Sequence, residues 1–76
     1  MYMAYVPEVP SDEQVIAALE ELNGNADALT LCGRLMAQGH PELQSQLAIQ
    51  RAAERGKLVV NNDWTLSVAA ENAVAA

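Results

Sequence analysis

The apolar positions of this chain change their period once. Up to residue 53 they recur at intervals of three and four, the spacing of helices with a buried face, and from residue 57 they gather into two short runs of strand type. Val15, Ile16, Leu19 and Leu22 predict a first helix, with Glu20 and Glu21 turned outward. Ser11 stands three residues ahead of Gln14, the spacing of a capping box, and Asp12 and Glu13 put negative charge on the positive end of the helix dipole. Asn23-Gly24 closes the helix, because glycine takes the left-handed conformation that other residues resist. Asn25 is the expected N-cap of a second helix carrying Ala28, Leu29, Leu31, Cys32, Leu35 and Met36. That helix is apolar over most of its girth, which predicts burial on two sides, with Gly33 permitting close packing. Gly39 stops it, and His40-Pro41 restarts the chain, since proline suits a first helical turn.

A third helix is expected from Pro41 to Arg55, with Gly56 just beyond its end. Ser45, Ala48, Ile49, Ala52 and Ala53 form one small-residue face suited to packing on the first two helices. Leu43 and Leu47 fall on a different face beside Gln50 and Glu54. Two placements are open for them: a slightly rotated helix that turns both into the core, or a dimer or partner interface. Residues 57–60 and 64–68 then read as two strands joined by Asn61-Asn62-Asp63, a β-hairpin with turn residues where they are needed. Alternation puts Trp64, Leu66 and Val68 on one face, with Trp64 anchoring the hairpin on the core. Residues 1–10 read as an extended N-terminal arm in which Tyr2 to Val6 forms a short strand or lies over a neighbour. Residues 11–68 form the domain, and 69–76 a flexible small-residue tail.

Helix, helix, turn, helix and tight hairpin is an order with a known counterpart. Three stretches carry the likeness: NADALTLCGRLMAQG with its glycine turn, AIQRAAERGKLVV where the third helix runs into a strand, and NND followed by WTLSV. Over residues 11–68 the chain resembles the winged helix-turn-helix superfamily, and in size it is similar to small regulators of phages and bacterial mobile elements. The resemblance implies a mainly α fold with a C-terminal β-hairpin, three helices and a wing. It also implies a non-catalytic, transcription-regulator-like protein that contacts double-stranded DNA through helix three and the wing, as a dimer. On that basis Gln44, Ser45, Gln46, Gln50 and Arg51 are expected to face the groove, and Arg55, Lys57, Asn61 and Asn62 the phosphates.

Composition adds a second function class. Four Lys+Arg against ten Asp+Glu leave a net charge of −6, which argues against indiscriminate binding to nucleic acid or anionic lipid. Arg51, Arg55 and Lys57 nevertheless lie together at the helix-to-wing junction. Three phosphate contacts would give a log–log salt slope of about −2.7, which a symmetric dimer would double. Glu42, Glu54 and Asp63 oppose them. The same polarity fits an acidic winged-helix protein-binding module or inhibitor, docking on a basic surface of a host or regulatory protein through Glu20, Glu21, Leu43 and Leu47.

Other chemistry is not expected. One His and one Cys cannot build a soft-ligand metal site, the carboxylates lack ligand spacing, and no glycine-rich phosphate loop is present, so neither a cofactor nor enzymatic activity is predicted. His40 reads as a loop histidine and Cys32 as a small core residue. The apolar fraction of 51% supplies a core, and a domain this short is expected to be stable by about 5 kcal/mol. The first ten residues have no signal-peptide pattern and no run reaches membrane-spanning length, so a cytoplasmic location is expected.

Overall fold

In a computed structural model that describes residues 8–69, the capping box at Ser11 is formed. Ser11 Oγ accepts from the Gln14 N–H at 3.2 Å, and Gln14 Oε1 accepts from the Ser11 N–H at 2.8 Å. Helix α1 runs Asp12–Glu21 and stops where Asn23 (φ 67°) and Gly24 (φ 78°) both turn left-handed. The chain then enters a short strand, β1, Asn25–Asp27. Helix α2 follows over Ala28–Ala37, α3 over Glu42–Glu54, and strands β2 and β3 over Leu58–Val60 and Thr65–Val68. This is the expected mainly α architecture with a C-terminal hairpin, three helices plus a wing.

Strand β1 corrects the assignment of Asn25 as a helix N-cap. Asp27 does the capping instead, its Oδ1 accepting from the Thr30 N–H at 2.7 Å. Asn-Ala-Asp has no intrinsic strand preference. It becomes a strand because β3 has a second edge of N–H and C=O groups to satisfy. The sheet is antiparallel throughout, in the order β1-β3-β2, with Leu66 opposite Ala26 on one side and Val60 on the other.

The core lies where the helices meet the sheet. Val15, Ala18 and Leu19 of α1, Leu31, Cys32 and Leu35 of α2, and Ala48, Ile49 and Ala52 of α3 pack with Leu58 and Leu66. Val9, Ile16, Leu22, Ala26, Ala53 and Val68 close around them, so the end of the N-terminal arm joins the domain. At the other end Ala69 is buried and its N–H donates to the Lys57 carbonyl at 3.0 Å, extending the hairpin ladder into the first residue of the expected tail. The expected Tyr2–Val6 strand and the rest of the tail lie outside the described residues.

Three further expectations are corrected. Helix α2 is buried on one face, not two: Leu29 is 83% exposed, Met36 is exposed, and a side chain at Gly33 would meet open space. Helix α2 packs on α1 and α3 with one face, and nothing covers its second apolar flank. Ser45, expected both on the packing face and at the DNA groove, holds only the first place: it is fully buried in the stripe with Ala48, Ile49 and Ala52, its hydroxyl donating to the Pro41 carbonyl at 2.8 Å. Trp64 is 79% exposed at the wing tip rather than anchored on the core. Asn61 pairs with Thr65 through its N–H at 2.8 Å, and the Trp64 N–H closes the turn onto the Asn61 carbonyl at 3.0 Å. The loop is therefore residues 62–64, one position later than 61–63, and a one-residue shift removes Trp64 from the strand's inward face.

Two contrasts test this packing. Leu35→Ala should lower unfolding free energy by about 2–5 kcal/mol, whereas Leu29→Ala on the exposed flank should stay within about 0.5 kcal/mol, both read from urea unfolding. Asp27 and Asp63 also tie stability to pH. The Thr30 backbone N–H holds the Asp27 carboxyl below the ordinary aspartate value, and the Thr65 hydroxyl does the same for Asp63. A carboxyl lowered on folding stabilises above its unfolded pKa, near about 4, and loses that contribution as pH falls through the folded value. The Tm should therefore decline below about pH 4, less steeply in Asp27→Asn and Asp63→Asn.

Candidate interaction surface on α3 and the wing

With Ser45, Ala48, Ile49 and Ala52 turned inward, α3 presents Glu42, Leu43, Gln46, Gln50, Arg51 and Glu54 to solvent. The two glutamines are engaged along the helix. Gln46 Nε2 donates to Glu42 Oε2 at 3.4 Å and Gln50 Nε2 to Glu54 Oε2 at 3.1 Å. Their amide N–H groups thus turn toward carboxylates of the same helix.

Of the nine residues expected to contact DNA, Ser45, Arg55 and Asn61 are taken up by contacts within the fold. Ser45 is in the core, a correction that follows from its place on the packing stripe. Arg55 reaches back to α1, its Nη1 2.7 Å from Asp12 Oδ1, with the Asp12 side chain only 13% exposed. Asn61 is half-buried and its Nδ2 donates to Thr65 Oγ1 (3.1 Å) and Ser67 Oγ (2.8 Å). Asn25 reaches the same two hydroxyls from the opposite edge of the sheet at 3.2 and 2.9 Å. These side chains form a polar ladder across the outer sheet face. Gln44 and Lys57 are half-buried, while Gln46, Gln50, Arg51 and Asn62 are exposed. Arg51 and Lys57 have no ion pair among the described residues.

Of the residues expected at a protein interface, Glu20 is exposed and Glu21 is partly engaged: its Oε1 lies 3.8 Å from Arg34 Nε and accepts from Gln38 Nε2 at 3.2 Å. Leu43 is 69% exposed and Leu47 half-buried, and neither belongs to the core cluster. Helix α3 is therefore not rotated to take them inward.

A groove between α2 and α3 was not apparent from the sequence. Ala28, Leu29 and Cys32 line one side, Gln46 and Ile49 the other. Burial, and secondarily the Glu42 charge, push the Cys32 thiol up, which favours its neutral form in the apolar wall of the groove. Its Sγ lies 3.9 Å from Met36 Sδ, which continues the apolar flank of α2. The one available signal was an excess: α2 carries more apolar residues than a single buried face can use. The wing adds exposed Val59, Val60 and Trp64.

Among the described residues no three His, Cys, Asp or Glu side chains gather as a metal-binding group, and no helix is long and apolar enough to cross a membrane. No protein-family model, curated protein or solved structure matches the chain.

Proposed function

We propose that this protein is a small, non-catalytic, acidic winged-helix-like module that docks on a basic surface of a regulatory or host protein. Contact runs through the outer face of α3 and the groove shared with α2. The observation that supports this is the make-up of that face: Leu43 stands exposed on the first turn of α3, with Glu42 and Glu54 against the single cation Arg51. Covering a leucine side chain in an interface is worth about 1.5–3 kcal/mol. Carboxylates at the rim steer a cationic partner and select against anionic ones. The single cysteine is a free buried thiol, which suits a reducing, cytoplasmic setting.

DNA binding is the second reading, favoured by Arg51, Lys57 and Asn62, which stay accessible on α3 and the wing. Its electrostatics are thin. With Arg55 held by Asp12, two cations remain and the expected salt slope falls to about −1.8. Two contacts are few against a net charge of −6.

An anisotropy titration at low salt separates the two. A labelled amphipathic Leu/Lys peptide should bind, release on adding salt, and bind about tenfold more weakly to Leu43→Asp, which keeps the parent Tm. Random-sequence duplex DNA should show no binding at tens of micromolar protein. The proposal fails if DNA binds and Arg51→Ala with Lys57→Ala abolishes it, or if Leu43→Asp binds the peptide unchanged.

A further inference from the structure

The wing tip spends stability on a residue the fold does not use. Trp64 has φ 67°, a left-handed conformation that is a genuine outlier for a bulky side chain. It occupies the last position of a three-residue hairpin loop, where glycine is the ordinary choice. Its indole is 79% exposed and outside the core cluster, so packing does not explain it. The turn requires the left-handed conformation but not an indole, and a bulky side chain kept at such a position points to a contact role.

The neighbouring carboxylate narrows what the contact is. Asp63 Oδ1 accepts from both the Thr65 N–H (3.1 Å) and the Thr65 hydroxyl (2.6 Å), which leaves Oδ2 without a partner among the described residues. Thr65 is itself held by the Asn25 and Asn61 amides, so the carboxylate rests on a rigid polar ladder. An exposed indole next in sequence to an oriented carboxylate suits a guanidinium, which stacks by cation–π attraction and donates hydrogen bonds to a carboxylate oxygen. The wing cation, Lys57, lies at the base of the hairpin opposite the tip, where its carbonyl accepts from Ala69. Between residues 58 and 68 the one charged side chain is Asp63, so the tip itself offers a phosphate a negative charge and no cation of the hairpin.

We propose that the wing tip is an arginine clamp, with Trp64 as the stacking platform and Asp63 as the anion, that captures an arginine-bearing segment of the protein partner. The inference rests on the acidic-module reading and adds a second contact to it, separate from Leu43 and the α2–α3 groove.

Trp64 is the only tryptophan, so its emission reports on the clamp itself. Octa-arginine titrated at physiological salt should change that emission saturably, with octa-lysine several-fold weaker. By anisotropy, labelled octa-arginine should bind at least tenfold more weakly to Trp64→Gly and to Asp63→Asn. Trp64→Gly should keep or raise the Tm, because glycine accepts the left-handed turn. If octa-arginine binds both variants as tightly as the parent and leaves Trp64 emission unmoved, the clamp is overturned while the acidic-module reading stands. If it does not bind the parent protein at all, both fail. A single-stranded oligonucleotide that shifts Trp64 emission where octa-arginine does not would assign the platform to bases and overturn the clamp.

Discussion

Strand β3 has to satisfy hydrogen-bonding groups on both of its edges, and the rest of the domain is arranged around that requirement. One edge takes the link between α1 and α2, the other the chain leaving α3, so β3 fastens the two ends of the helical unit together. Leu66, opposite both Ala26 and Val60, carries this pairing into the core. The register is strongly specified, since a slip of one residue would expose Leu66 and bury Ser67. It also sets the loop length, because pairing Asn61 with Thr65 leaves three residues for the turn and pushes Trp64 into its left-handed conformation.

Small residues on α3 have a parallel consequence. Ser45, Ala48 and Ala52 bring the helix close to α1 and α2 with little side-chain volume between them. The larger residues Leu43, Gln46 and Gln50 are thereby left on the outside. Ser45 fits this seam because its hydroxyl is satisfied at once by the Pro41 carbonyl one turn back, so burial leaves no unpaired donor. The Arg55–Asp12 pair draws one of the four cations of the chain into holding α3 against α1. The basic edge visible in the linear sequence is weaker in three dimensions for that reason. What faces outward is a surface of exposed leucines and engaged carboxylates, with an aromatic tip on a firm polar support.

Local signals were legible and non-local ones were not. The capping box at Ser11, the stops at Gly24, Gly39 and Gly56, the extent of α3 and the hairpin are all written in residues within four positions of one another. Strand β1 escaped because its cause is the vacant edge of β3, forty residues away in sequence. Trp64 departs from the alternation because the Asn61–Thr65 pairing makes position 64 a left-handed turn residue and not the first residue of the strand. The α2 flank of Leu29 and Met36 read as core because periodicity measures how apolar a face is, not whether a neighbour covers it.

The candidate site divides along the same line. The candidate contact residues of α3 and the wing followed from the winged-helix resemblance, and the two leucines from helical spacing. Which of them remain available was decided by side-chain contacts and packing: Asp12 with Arg55 and Asn25 with the Thr65 and Ser67 hydroxyls between distant segments, Asn61 with the same hydroxyls within the hairpin, and the packing stripe that takes Ser45 inward. By itself the sequence determined the helices, the hairpin and the acidic balance, since these follow from backbone hydrogen bonds and composition over a few residues. Only the tertiary structure decided which polar groups are already satisfied and which apolar side chains lack a cover, because both depend on what folds against them.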